Sequence, residues 1–147
     1  MNYLNYPARM EYLPGFLDYI RNEMIDLGIN MEIIFEVELA CEEILVNIIK
    51  YAYSGKVGDI DVGVEYEDEG EFIVYIIDRG ECFNILQVEN PDVEASLDER
   101  DEGGLGIHFA RSLMDEIDYK RDEDKNIVIM KKRILRKQGS GDNENKK

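Results

Sequence analysis

The run from Glu36 to Tyr53 is the stretch that most restricts what this chain can fold into. Read at a helical period, Val37, Ala40, Cys41, Ile44, Leu45, Ile48, Ile49 and Ala52 fill one broad apolar arc, as a helix packed against a core requires. Glu36, Glu43 and Asn47 follow one margin of that arc, with Lys50 a little beyond, while Glu38 and Glu42 mark the other edge. Glu43 and Asn47 are four residues apart, so they project from neighbouring turns of one face. A carboxylate beside a carboxamide at a core border can hold a hydrated cation, or a water or hydroxyl to be deprotonated. It can equally be the polar border of an ordinary helix.

The rest of the chain supplies partners for that helix. Residues 1–8 alternate loosely and suit a short strand. Pro14 opens a helical pattern through Phe16, Leu17, Ile20, Met24, Ile25 and Leu27, with Gly28 as its stop. Asn30 is placed to cap the long helix, and Ser54–Gly58 breaks it. From Ile60 the period changes to two, giving a half-buried strand through Tyr66. Asp68-Glu69-Gly70 turns the chain, and Glu71 to Ile77 returns as an antiparallel partner, apolar enough for a central strand. Asn84 to Glu102 has no periodicity and many acids, which fits a functional lid or a disordered loop. Gly103-Gly104-Leu105-Gly106 ends it. A helix is expected from Ile107 to Ile117, a charged turn over Asp118 to Arg121, and a final hairpin including Ile127 to Leu135. These elements predict an α+β fold, a two-layer sandwich with helices on one face of a mostly antiparallel sheet. The ordered domain is expected over residues 1–135 and a disordered polar tail over 136–147.

Charge narrows the function. Seventeen Lys and Arg against thirty-three Asp and Glu give a net charge of −16, which argues against direct nucleic-acid or anionic-membrane binding. Any phosphate site must then be local, built from backbone N–H groups and a metal. Cys41 and Cys82 lack metal spacing and read as reduced thiols. The N-terminus lacks the pattern of a signal peptide, and no apolar run reaches the length of a membrane span, so a cytoplasmic protein is expected.

Two further stretches suit chemistry. Asp78 sits where a buried strand ends, and a carboxylate there is costly unless something bonds to it. Gly80 permits a close approach that a Cβ would block, and Phe83 can floor a flat pocket. Together they suit a planar heterocycle with an exocyclic amine, or simply a turn. Gly103–Gly106 before a helix offers free N–H groups and a positive helix end to phosphates. It is neither a Walker A loop, lacking a following Lys-Ser or Lys-Thr, nor a Rossmann fingerprint, since it follows a charged loop. Mg²⁺ bound by Asn47 and phosphate oxygens would supply the missing positive charge.

A Glu-x-x-x-Asn helix, then Asp-x-Gly-x-x-Phe after a strand, then Gly-Gly-Leu-Gly before a helix resembles, in that order, the ATP-binding (Bergerat-type) fold of the GHKL superfamily. Asp78-Arg79-Gly80-Glu81-Cys82-Phe83, Gly103-Gly104-Leu105-Gly106-Ile107 and Ser112-Leu113-Met114-Asp115-Glu116 look like the RsbW-type anti-sigma factor serine/threonine kinases. The resemblance covers about residues 8 to 135. It implies Glu43 as general base, Asn47 as Mg²⁺ ligand and Asp78 as acceptor for the adenine amine, with Gly80 letting the base sit close. Asn84 would border the nucleotide, and Gly103, Gly104, Leu105 and Gly106 would wrap the phosphates. Ile85 to Glu102 would be the ATP lid, with Arg100 approaching the γ-phosphate. The implied function is a protein kinase that phosphorylates a small anti-anti-sigma (STAS-type) protein, sequesters a sigma factor or similar regulator, and forms a homodimer. The alternatives are a non-catalytic ATP-binding module that holds a protein partner, and the catalytic half of a histidine kinase, for which no second domain is at hand. Two positions depart from the family pattern. Tyr51 stands four residues after Asn47, where relatives often carry His. Ile127–Met130 offers no hydroxyl where they often place a Thr near the adenine.

Overall fold

The computed structural model describes residues 2–87 and 102–134, with residues 102–105 described by their backbone only. Strand β1 (Tyr3–Pro7) leads through a short 3-10 turn (Met10–Tyr12) into helices α1 (Leu13–Asp26) and α2 (Met31–Tyr51). Strands β2 (Asp59–Glu67) and β3 (Glu71–Asp78) follow, then a 3-10 turn at Ile85–Gln87, helix α3 (Glu102–Leu113), and strands β4 (Glu116–Asp122) and β5 (Lys125–Arg133). The five strands form one antiparallel sheet in the order β1-β2-β3-β5-β4.

Local chemistry sets the boundaries. Pro14 lies in the first turn of α1, where a missing N–H costs nothing. Beyond its end Gly28 takes φ 76°, a left-handed conformation that glycine adopts without a Cβ penalty. The Asn30 side chain accepts from Ile33 N at 3.0 Å, capping α2.

Alternation on β3 sends Phe72, Val74, Ile76 and Asp78 to one face, and every one of them is buried. Against that face pack Phe16, Ile20 and Met24 of α1, Val37, Cys41, Ile44 and Leu45 of α2, and Ile107 and Ala110 of α3. Arg21 ties α1 to α2, its Nε donating to Glu38 Oε1 at 3.1 Å. Glu36, at the active margin of α2, is taken up by Lys132 of β5 at 2.9 Å. Cys41 is fully enclosed, and burial pushes its thiol far up, so it stays neutral; both cysteines are free thiols.

Two expectations are corrected at the C-terminal end. Helix α3 starts at Glu102 and stops at Leu113, so the glycine-rich segment lies inside the helix rather than ahead of it, and Ile117 belongs to a strand. The charged stretch Asp118 to Arg121 is part of edge strand β4, not a turn; the chain turns at Glu123-Asp124, where Glu123 has φ 56°. The strand escaped notice because only Ile117 and Tyr119 are partly covered, while the intervening residues face solvent. Charged residues of that kind protect an edge strand from pairing with another chain. Residues 88–101 of the expected lid, with Arg100, Leu135 of the expected final hairpin, and residues 136–147 of the expected tail lie outside the described residues.

Candidate nucleotide site

The open margin of α2, the end of β3 and the sheet corner where β4 meets β5 line a pocket open to solvent. Helix α2 contributes Asn47, Ile48, Tyr51 and Ala52. Asp78, Glu81, Phe83 and Ile85 come from the end of β3 and the segment after it, and Tyr119, Asn126 and Val128 from the sheet. Phe83 is 51% exposed and lines a wall; the floor expected of it is supplied by Ile48 and Val128, both buried. Asn84 is not among the described lining residues. Its Oδ1 accepts from Leu86 N at 2.9 Å and its carbonyl from Gln87 N at 3.0 Å, so it organises the turn into the loop.

Asp78 is only 2% exposed. Its Oδ1 accepts from Gly80 N at 2.8 Å and from Asn126 Nδ2 at 2.9 Å. Among the described residues no donor reaches Oδ2. Burial pushes the Asp78 carboxyl up from its ordinary value; the bonds from Asn126 and Gly80, and the charges of Arg121 and Arg79, pull against that rise. A buried carboxylate oxygen without a donor is expensive in isolation, so it fits a ligand that brings its own N–H. Gly80 is needed for a different reason from the one expected: a Cβ there would stand 2.7 Å from the Ala52 carbonyl carbon. Its absence lets Glu81 N donate to Ala52 O at 3.0 Å, closing the strand end onto the end of α2. The neighbouring Arg79 is engaged by Asp59 at 3.3 Å and Asp61 at 2.9 Å, on the side strand.

At the other end of the site, Asn47 is 8% exposed and donates from Nδ2 to Glu43 O at 2.8 Å. No hydrogen bond among the described residues reaches its Oδ1, a hard oxygen suited to Mg²⁺. No group of three or more His, Cys, Asp or Glu gathers among the described residues, so a metal here would rely on the ligand's own oxygens. Glu43 stands one turn before Asn47, against α3. A Cβ built on Gly106 would collide with Glu43 Oε1 and lie 3.2 Å from its Cδ. Because α3 begins at Glu102, the N–H groups of Gly103 and Gly104 lie in the first turn, which lacks intrahelical partners. Gly106 lies deeper, where its missing side chain makes room for Glu43.

Sequence reasoning missed Asn126, Tyr119 and Arg121. Asn126 stands directly opposite Asp78 in the β3–β5 ladder, one residue before the segment searched for a hydroxyl. Tyr119 donates to Asn126 Oδ1 at 2.6 Å, and Arg121 donates to Gly80 O at 3.1 Å. The available signal was the one uncharged polar side chain closing the charged run Arg121–Lys125, just ahead of Ile127-Val128-Ile129-Met130.

Residues 6–132 match the family of histidine kinase-like ATPase domains. The chain is 30% identical over 142 residues to the serine-protein kinase RsbW of Bacillus mycoides (strain KBAB4), covering 92% of this chain and 86% of that protein. It is 31% identical over 133 residues to RsbW of Bacillus pumilus (strain SAFR-032), covering 85% and 81%. The chain belongs to the RsbW-type serine-protein kinases. Among solved structures, the RsbU and RsbW domains of Rv1364c from Mycobacterium tuberculosis match with TM-score 0.61 at 14% identity, over 91% of this chain and 33% of that one. The blue-light activated histidine kinase EL346 of Erythrobacter litoralis matches with TM-score 0.58 at 16% identity, over 87% and 42%. At these identities the likeness is one of fold, and it agrees with the α+β sandwich described above. In this RsbW-type kinase Asp78 lines one end of the pocket, beside Gly80, and Glu43 and Asn47 lie further back along α2.

Proposed function

We propose that this kinase transfers the γ-phosphate of Mg-ATP to a Ser or Thr hydroxyl of a small anti-anti-sigma (STAS-type) protein. In the same reading it sequesters a sigma factor or similar regulator, works as a homodimer, and resides in the cytoplasm. No described helix is long and apolar enough to cross a membrane, which is consistent with that location. The observation that carries the reading is the pairing of unsatisfied acceptors at two points along α2. Asp78 Oδ2 awaits a donor beside the end of the helix, and Asn47 Oδ1 awaits a cation or donor one turn after Glu43.

The roles follow from that layout. Asp78 accepts from the exocyclic amine of adenine, while Ile48 and Val128 exclude water from the ring. Phe83 borders the ring and Asn84 fixes the segment that follows it. The N–H groups of Gly103 and Gly104, with the backbone of Leu105 and Gly106 behind them, face the phosphates at the positive end of α3. Arg100 is assigned to the γ-phosphate. Asn47 would hold Mg²⁺ together with phosphate oxygens, and the ion would offset charge on the transferred group. Glu43 orients the incoming hydroxyl and takes its proton as the oxygen attacks phosphorus; ADP leaves with the former bridging oxygen.

Calorimetric titration with Mg-ATP and a single-turnover transfer assay to a STAS-type substrate, each on wild type and Glu43→Ala, test the reading. Affinity should change by less than about threefold, while transfer falls by roughly 10²–10⁴. Unchanged transfer would remove Glu43 from the base role. ATP-dependent retention of the partner without transfer, in wild type, would make the protein a binding module. An absence of Mg-ATP binding to wild type would overturn the site.

A further inference from the structure

We propose that Asn126 is the specificity-setting partner of Asp78: its carboxamide, buried between Asp78, Glu81 and Tyr119, holds that carboxylate as an obligate acceptor, so the pocket selects purines with an amine at C6 over those with a carbonyl. The inference rests on the ATP-site reading and adds to it the device that fixes what Asp78 can recognise.

The orientation of the amide is settled by its neighbours. Asn126 Nδ2 lies 2.9 Å from Asp78 Oδ1 and 2.8 Å from Glu81 O, a carboxylate and a carbonyl, both acceptors. Its Oδ1 receives Tyr119 OH at 2.6 Å, Arg121 at 3.2 Å and Phe83 N at 3.5 Å. A flipped amide would set its carbonyl against the Glu81 carbonyl and its N–H₂ against a guanidinium and a backbone N–H. Asn126 is 4% exposed, and these contacts occupy both donors and its oxygen. It therefore has nothing left for a ligand and acts through Asp78.

Asp78 is in turn fixed in direction. Both of its donors converge on Oδ1, which leaves Oδ2 for the ligand. An amine at C6 satisfies that oxygen. A C6 carbonyl sets acceptor against acceptor in a dry site, which costs far more than a lost contact. The remaining polar groups about Asp78 are Arg79 beside it, Arg121 and Tyr119 from β4, Tyr53 beyond α2, and Glu81 and Cys82 in the following segment. None of these donates a hydrogen bond to the carboxylate; among the described residues Asn126 is the one side chain that does.

Replacing the amide by an acid tests this. In Asn126→Asp two carboxyl groups meet, which favours their protonated forms, so toward acid pH the new acid donates to Asp78 Oδ1 while a second proton on Asp78 Oδ2 is donated to a C6 carbonyl. Competition titrations compare Mg-ATP with Mg-ITP, which differ at C6, from mildly acid to mildly alkaline pH. Wild type should prefer ATP by at least about a hundredfold at every pH. Asn126→Asp should bring the ratio within about tenfold at the acid end, with preference recovering as pH rises and the proton is lost. Asn126→Thr, which keeps a donor on a β-branched strand residue, should retain the preference and covers the case in which the acid variant does not fold. A wild-type ratio in folded Asn126→Asp at every pH overturns the Asn126 role and leaves the ATP site standing. Loss of preference in folded Asn126→Thr also overturns it, since a donor alone would then not suffice. Wild type that binds neither nucleotide overturns this inference and the ATP site together.

Discussion

Gly106→Ala separates the placement of the base from every other property of the site. The added methyl would collide with Glu43 Oε1 and stand 3.2 Å from its Cδ, while Glu43 Cβ, at 3.6 Å, is in ordinary contact. Comfortable carbon–carbon contact begins near 3.5 to 4.0 Å, so the carboxylate must withdraw by on the order of 1 Å. It can do so by rotating its own side chain, because the obstruction falls on a flexible tip. Backbone contacts are spared, and alanine in a helix interior is favoured over glycine by about 1 kcal/mol. The fold should therefore keep its melting temperature or gain a degree or two, since about 1 kcal/mol shifts it by a few degrees at this size. Transfer should suffer: a misplacement of about 1 Å costs on the order of a hundredfold in rate. The assay is single-turnover phosphorylation of a STAS-type substrate at saturating Mg-ATP, with melting followed by circular dichroism. A wild-type rate in a folded variant would refute the claim that this contact places Glu43. A melting temperature several degrees lower would show that the collision is relieved by parting α2 and α3.

Asp78→Asn should abolish Mg-ATP binding yet stabilise the nucleotide-free protein at neutral pH by roughly 1 kcal/mol, since a buried carboxylate with one unserved oxygen is costly. Because burial raises the folded-state pKa of Asp78, wild type binds the extra proton when folded, so the variant's advantage should be present above that raised value and vanish as pH falls through it; an advantage that grows toward acid pH in chemical denaturation would contradict this. Asn30→Ala removes the acceptor of the Ile33 N–H at the start of α2. It should cost about 1 kcal/mol in denaturant titration, and a cost below about 0.3 kcal/mol would show the cap to be dispensable.

The parts of the site that were legible in the sequence are those that local rules place. Glu43 and Asn47 follow from the helical margin of α2, Asp78 from the end of an apolar strand, and the α2 cap from Asn30. The missed side chains, Asn126, Tyr119 and Arg121, depend on which residues meet across the sheet. Asn126 faces Asp78 only because β5 pairs antiparallel with β3 in one register. The turn at Glu123-Asp124 sets the β4–β5 register that brings Arg121 opposite Asn126, and a charged edge strand disguised it. Gly106 read as a phosphate glycine because its motif announces one; its contact with Glu43 arises from the packing of α3 on α2. Gly80 likewise makes room for the end of α2.

Helix α2 carries Glu43 near its middle and meets Gly80 and Glu81 at its C-terminal cap, Ala52. At about 1.5 Å per residue the interval between them is roughly 13 Å of rigid rod. The site therefore works as a gauge. Its two ends cannot drift apart or be retuned separately, because any shift along the helix axis that improves one end spoils the other by the same distance. Adaptation to a different acceptor protein must then come from the opposite wall, where α3 can change without disturbing the measured length.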